Sequence, residues 1–395
     1  MPAASAQNAR LRGQASGGRV TGIGRVLIVG GGVAGMSCAI QLRKLGTQVT
    51  LVDSDPAWKV YGAGITITGP TLRAFRDLGI LEEVAIRGTV WDGLRLLDRD
   101  GRVVREMSFP SLGPGLPGNG GIMRPALHSI MSARVLAAGA QVKLGVTVEQ
   151  LHDGPAGAEV RLTDGTSATH DLVIAADGLY SRLRERCFSH AVKPKFTGQT
   201  CWRIVLPRPA NFARTEYYLA ADAKVGFSPV SATHMYMFLL EHTPGNPWIP
   251  PEEQAERLHE LMAGWGGNVP AARAQVLTDE VRATVNYRPL EAALQPAPWY
   301  SGRVVLVGDA AHATTPHLAS GAGMAAEDGV VLAQEVERGG EVAAILERHV
   351  QRRYARCRTV VDSSLRLGEI EMTRGSAVEH ADITARAMAA LAQPI

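Results

Sequence analysis

Residues 25–53 read RVLIVGGGVAGMSCAIQLRKLGTQVTLVD, and this stretch decides the fold. Val26–Val29 is a short apolar run of the kind that forms a buried parallel strand. Gly30, Gly32 and Gly35 follow at G-x-G-x-x-G spacing, and a helical apolar pattern (Met36, Cys38, Ala39, Leu42, Leu45) then runs to Gly46. A second strand, Val49–Val52, ends at Asp53. The first glycine permits a tight turn, the second lets a pyrophosphate approach the backbone, and the third lets the helix lie against the strand. The helix then presents unpaired N–H groups and the positive end of its dipole to the phosphates. Asp53 is the acceptor expected for a ribose hydroxyl. Strand, glycines, helix, strand and acid in this order predict an adenine dinucleotide site, rather than a unit that uses glycine only to turn.

At 395 residues the chain exceeds the usual size of one core, so two or three domains are expected. Net charge is +3, from 41 basic and 38 acidic residues, too small to argue for nucleic acid or an anionic membrane. No run reaches the roughly 18 apolar residues of a membrane span. Cys38, Cys187, Cys201 and Cys357 are scattered without a CxxC pair, which fits a reducing cytoplasm. Residues 1–24 are rich in Ala, Gly, Arg and Ser and lack the apolar centre of a signal peptide, so a disordered tail is expected there.

Two further stretches pair an apolar strand with a glycine turn. Leu172–Ala176 runs into Asp177-Gly178 and a basic helix start, where the acid can serve a ligand, cap the helix, or do both. Val304–Val307 leads to Gly308-Asp309, a Thr/Pro loop containing Pro316, and then Gly321-Ala322-Gly323 opening a long helix. Thr71–Val84 reads as one amphipathic helix, Asp100-Gly101 as a hairpin turn, and Ser111–Gly121 as a loose, mobile connector. Arg124-Pro125 begins a helix, with the arginine either a surface charge or a dinucleotide contact. Residues 195–290 turn to aromatics and β-formers bounded by prolines, which predicts an antiparallel sheet inserted into the α/β pattern. The expected fold class is α/β. A Rossmann-like dinucleotide-binding domain takes residues 25–88, 109–194 and 287–345, an inserted and mainly antiparallel β-sheet substrate domain takes 89–108 and 195–286, and C-terminal helices take 346–395.

Together these three motifs resemble those of the single-component, FAD-dependent aromatic hydroxylases, the family of para-hydroxybenzoate and salicylate hydroxylases. The resemblance spans roughly residues 25–365 and implies that the dinucleotide is FAD. It also implies an enzyme that draws electrons from transiently bound NAD(P)H and uses O2, through a flavin hydroperoxide, to hydroxylate a small aromatic or heteroaromatic substrate. Carried over by position, Gly30, Gly32, Gly35 and Asp53 would hold the ADP half of FAD, Arg124 would lie near the pyrophosphate, and Asp177 and Gly178 would serve both FAD and the nicotinamide donor. Gly308 and Asp309 would meet the ribityl chain, and Pro316, Gly321, Ala322 and Gly323 would form the loop and helix start beside the flavin ring. Two departures are Asp53, where the family more often has glutamate, and Ser54 in place of its usual arginine after that acid. A flavin epoxidase, or a hydroxylase of a larger polyketide-like substrate, would share the scaffold. A flavin dehydrogenase that does not activate oxygen, or a protein holding FAD structurally, are the other readings.

An electron-rich ring reacts fastest when a polar group shares or removes its proton. Resemblance to salicylate and urate hydroxylases places Arg203, on the first strand of the inserted sheet, at the substrate or flavin. Tyr217 lies one strand later and can face the ring. His317 follows Pro316 in the loop nearest the flavin and can orient or deprotonate the substrate, or simply hydrogen-bond a carbonyl. His312 reads as structural, His234 as a weak candidate, and Met235, Met237 and Phe238 as sheet core. No cluster has metal-ligand spacing, so no metal is expected. A monomer or homodimer is expected.

Overall fold

The computed structural model describes residues 22–60, 62–109, 111–220 and 223–395. All but the end of the expected tail lies outside the described residues. Ile23 is fully buried and the Gly24 N–H donates to Asp171 at 2.8 Å, so the packed chain begins ahead of Arg25.

Strand Arg25–Val29 is buried from Val26 onward, which suits the middle of a sheet covered on both faces. It pairs in parallel with Gln48–Asp53 on one side and Leu172–Ala175 on the other. Gln141–Leu144 extends the sheet beyond Gln48–Asp53, and Val304–Leu306 extends it beyond Leu172–Ala175. Tyr300–Ser301 closes the far edge antiparallel. The register sets Val29 beside Ala175 and Ala175 beside Leu306, so three neighbouring strands end level and each runs into one glycine motif. Ligands of open α/β sheets bind outside such carboxyl ends.

A second sheet of seven strands runs in the order Asn286–Leu294, Lys195–Pro207, His234–His242, Ala223–Pro229, Thr215–Leu219, Leu94–Asp98 and Val103–Met107. All neighbours are antiparallel except Thr215–Leu219 with Leu94–Asp98. Its edge strand Asn286–Leu294 spans the expected 286/287 boundary. Alternation along His234–His242 separates two faces. Met235, Met237 and Leu239 enter a core with Leu258, Val269 and Ala272 from the covering helices, whereas Tyr236, Phe238 and Leu240 face a cleft.

Two local expectations differ from the structure. The helix expected over Thr71–Val84 is two helices, Gly69–Leu78 and Leu81–Arg87, because Gly79 takes φ +75° and ends the first. Within the expected connector, Asn119–Met123 is a strand paired with Gly64–Thr68 and Thr89–Trp91. Helix Gly321–Arg338 crosses Val33–Lys44 at Gly329, where a Cβ would stand 2.6 Å from the Cys38 nitrogen. Helix Val342–Thr373 follows, and Ala377–Ala392 is tied down by Arg73 and Arg356, which donate to carbonyls of Ala390, Leu391 and Ala392. Among the described residues no helix is long and apolar enough to cross a membrane.

Candidate active site

The first glycine turn is built as its spacing predicts. Gly30 has φ +110°, and a Cβ on it would collide with the Ala176 carbonyl. A Cβ on Gly35 would strike the Gly30 carbonyl. A Cβ on Gly32 would meet nothing within 4 Å, because that position opens onto the cleft. Helix Val33–Lys44 has no side-chain cap, which leaves its first amides for a ligand. Asp53 accepts from the Gly31 N–H at 2.6 Å and the Asp55 N–H at 2.8 Å, and the Trp58 indole donates to the Gly31 carbonyl at 3.0 Å. The backbone therefore fixes the acid at the turn.

In the second turn Asp177 accepts from the Leu183 N–H at 3.1 Å and Ser181 caps the helix by accepting from the Arg184 N–H at 2.9 Å. The other Asp177 oxygen is buried without a partner. Arg184, 1% exposed, donates to Leu179, Val192 and Ala310 carbonyls at 2.7, 3.0 and 2.8 Å. That arginine ties the second turn to the third, a link with no local signal in the sequence.

The third turn rests on a buried charge cluster. Asp328 accepts from the Gly308 N–H at 2.8 Å, from Arg353 at 2.8 Å, and lies 2.7 Å from His312 Nε2. His312 is thus structural, as expected. His312, Asp328 and Cys357 bring three possible ligand atoms within 4.8 Å, but Arg353 also reaches Cys357 Sγ at 3.4 Å. A guanidinium in that position makes this an ion cluster rather than a metal centre. Beside it, Asp309 is exposed and lines the cleft. The cleft walls still raise its carboxyl above the usual range by desolvation, against the pull of His312 and Arg124. Helix Gly321–Arg338 begins without a side-chain cap, since the Ser320 hydroxyl donates to the Leu318 carbonyl at 2.7 Å. Gly323 is needed for packing, because a Cβ there would strike Thr71.

All three turns border one cleft of about 500 Å³. Of the predicted residues, Gly32, Arg124, Gly178, Arg203, Tyr217, Asp309, Pro316, His317, Gly321 and Ala322 line it. Gly30, Gly35, Asp53, Asp177, Gly308 and Gly323 shape its turns from behind. Arg124 faces the cleft with no ion pair or side-chain hydrogen bond among the described residues, and its pKa is lowered first by burial and then by Arg203. Arg203 has the Tyr236 hydroxyl beside it and no carboxylate partner among the described residues. The Tyr217 ring meets Phe238 edge-on at 5.8 Å, and burial pushes its hydroxyl pKa up.

His317 is placed differently from the expectation that it meets substrate. Its side chain is 1% exposed, with Nδ1 2.8 Å from Thr315 Oγ1 and Nε2 3.4 Å from Glu371 Oε2. The imidazole packs at Gly368, where a Cβ would come within 3.0 Å of the ring, so His317 reaches the cleft through its backbone. His234 is exposed at a strand end and bonds Thr233 at 2.8 Å, away from the cleft. The sequence reading missed Lys224, Tyr236 and Arg288, and placed Phe238 in the core; all four line the cleft. Period-2 alternation from the buried Met235 and Met237 was the available signal for Tyr236 and Phe238.

This cradle fits FAD on its own terms: an open Gly32 face, two uncapped helix starts, an unpaired arginine and an acceptor carboxylate reachable from the cleft. Residues 24–364 match the FAD binding domain family. The chain belongs to that family. It is an FAD-dependent monooxygenase related to the aromatic hydroxylases. The flavoenzyme is 32% identical over 315 residues to 2-heptyl-3-hydroxy-4(1H)-quinolone synthase of Pseudomonas aeruginosa, covering 78% of this chain and 80% of that one. It is 28% identical over 332 residues to 6-hydroxynicotinate 3-monooxygenase of Bordetella bronchiseptica, covering 80% and 83%. Its fold matches Klebsiella pneumoniae HpxO complexed with FAD and uric acid at a TM-score of 0.80, with 24% identity and 93% of each chain covered.

Proposed function

We propose that this flavoenzyme hydroxylates a small heteroaromatic or aromatic ring bearing an acidic oxygen, with NAD(P)H as electron donor and O2 as oxygen source. The observation that carries the reading is Arg203. It is a guanidinium without a carboxylate partner among the described residues, in a chamber walled by Tyr217, Tyr236 and Phe238, on the same cleft as Asp309 and Gly321. The heteroaromatic names of two relatives support the ring class.

FAD, when bound, supplies electron storage and oxygen activation. Gly32, Arg124 and the amides at Val33 would hold its pyrophosphate, and Asp309 its ribityl hydroxyls. The helix start at Gly321–Gly323 favours negative charge beside it by roughly 0.5–2 kcal/mol. Asp177 and Gly178 border the approach for the nicotinamide donor. Arg203 orients the substrate and favours its deprotonated, electron-rich form. Tyr217 remains a neutral hydroxyl, because its pKa is raised by burial. Ile65, Phe238, Leu240 and Leu290 exclude water from the ring. We place the enzyme in the cytoplasm, a reading supported by four free cysteines, three of them buried.

One observation favours a larger substrate. Thr315 and His317 also wall a second cavity of about 430 Å³, lined by Phe196, Leu294, Val361 and Leu365. A ring carrying an apolar arm, as the quinolone relative's name describes, suits that arrangement. The test is a panel of ring acids and alkylquinolones added to FAD-loaded enzyme with NADH or NADPH. One ligand class is expected to speed flavin bleaching by about tenfold or more, with oxygen uptake and hydroxylated product. Bleaching indifferent to every ligand, or the same product made without oxygen, overturns the proposal.

A further inference from the structure

The pairing register places Arg203, Phe238, Gly226 and Tyr217 in one row across four adjacent strands. Gly226 is bare in that row because a Cβ would strike Phe238 and lie 2.9 Å from the Tyr217 ring. Lys224 stands two residues back on the same strand, paired with Leu240, and so projects to the same face. Strand spacing and rise put the Arg203 and Lys224 Cα atoms about 12 Å apart, one at each end of the aromatic chamber.

Lys224 is held from outside the sheet. Its side chain is 10% exposed, its Nζ is 3.1 Å from Glu371 Oε1, and it lies 5.3 Å from the Tyr217 ring centre. Glu371 comes from helix Val342–Thr373, and the same oxygen is 3.1 Å from His380 Nε2. Its other oxygen is 3.4 Å from His317 Nε2. The charged and titratable groups facing Lys224 are therefore Glu371, Tyr217, and, through Glu371, His317 and His380. An ammonium carries three donors, and Glu371 engages one of them. Because the long helix supplies that anchor, the ammonium is pinned at the cleft wall instead of withdrawing toward solvent.

We propose that Lys224 contacts the substrate and selects for an anionic group at the end remote from Arg203, with Glu371 as the positioning residue for Lys224. The ligand class is a ring bearing an acidic hydroxyl at one end and a carboxylate or second anionic oxygen at the other. This deepens the function proposed above and rests on it.

The test uses 4-hydroxybenzoate, 6-hydroxynicotinate and 4-hydroxyphenylacetate, each beside its neutral amide, with FAD-loaded wild type and three variants. Flavin absorbance reports Kd, and NAD(P)H oxidation reports KM and kcat. Wild type is expected to bind at least one acid about tenfold more tightly than its amide. Lys224→Met should lose that ratio with amide binding unchanged, and Lys224→Arg should recover most of it. Glu371→Gln should raise the KM for the acid roughly fivefold while kcat stays near wild type. Should Lys224→Met fail to retain FAD, the Arg variant and Glu371→Gln decide the matter by the same ratio. A ratio preserved in Lys224→Met or Glu371→Gln overturns this inference alone. A wild type that binds no acid more tightly than its amide also overturns this inference alone, whereas flavin bleaching indifferent to these acids and to the alkylquinolones alike overturns the proposed function with it.

Discussion

Arg353 and Arg356 pack against helix Gly321–Arg338 through Glu327 and Asp328, whereas Arg124, Arg203 and Arg288 line the cleft. The first two are saturated. Arg353, fully buried, donates to Glu327 at 2.6 Å and Asp328 at 2.8 Å, while Arg356 grips Glu327 at 2.7 and 2.8 Å. None of the cleft arginines has a carboxylate within ion-pair distance among the described residues, although all three line one cavity. Paired charge inside a protein fixes geometry, and here it fixes the Gly308 turn through Asp328. Unpaired charge in a cleft carries a desolvation cost that a bound ligand can answer. The difference separates scaffold from site more sharply than residue type does.

The largest effect should come from breaking the scaffold. Arg353→Met would leave Asp328 and Glu327 buried with too few partners, at a cost of about 3–5 kcal/mol in urea unfolding. A loss below about 1 kcal/mol would show that the cluster is not the brace it is taken for. Gly32→Val makes the reverse case, because its Cβ would enter open cleft with nothing within 4 Å. The variant should fold with an unchanged apoprotein Tm yet purify colourless; a yellow preparation refutes the pyrophosphate assignment. Arg124→Ala should weaken FAD binding by about tenfold, read by flavin titration, without lowering the apoprotein Tm. A lower Tm with FAD affinity intact would move Arg124 from the site to the scaffold.

The scaffold was far more legible in the sequence than this division of charge. Gly30 and Gly35 were legible because close backbone approach leaves no room for a side chain, and that requirement is local. Gly321 and Asp309 followed from the same strand-then-glycine pattern. The split at Gly79 was missed because the apolar period continues across it while one residue turns left-handed. Lys224 was invisible for a different reason. Its anchor lies 147 residues away, and its face is set by a register only the assembled sheet defines. His317 shows the opposite error, since proximity in sequence to Pro316 suggested a ring in the cleft, yet the vacancy at Gly368 draws the imidazole toward the long helix. Adjacent acids in the apolar run Ala325-Ala326-Glu327-Asp328-Gly329 were the available sign of a buried ion cluster.

The smallest effect tests whether that cluster is balanced. His349 is fully buried on helix Val342–Thr373, with both ring nitrogens unpartnered and Asp328, Arg353, His312 and Arg352 around it. Burial, which outweighs the pull of Asp328, brings its pKa down to about 4. A folded-state pKa below the unfolded value means that the unfolded chain binds more protons. Stability should therefore fall as pH drops below about 6.5 and level off below about 4, with about 1 kcal/mol lost between pH 7 and 5.5. His349→Leu should remove that part of the acid limb in urea unfolding while leaving the steeper loss near pH 4 and below, where Asp328, held well below the usual carboxylate range despite burial, takes up its proton. An acid limb identical in the two proteins would mean that His349 takes up its proton as readily folded as unfolded, its burial offset by the charge of Asp328. Asp328 would then carry charge that Arg353 and His312 leave unanswered, and the contrast between a saturated scaffold and an unsatisfied cleft would fail at its buried end.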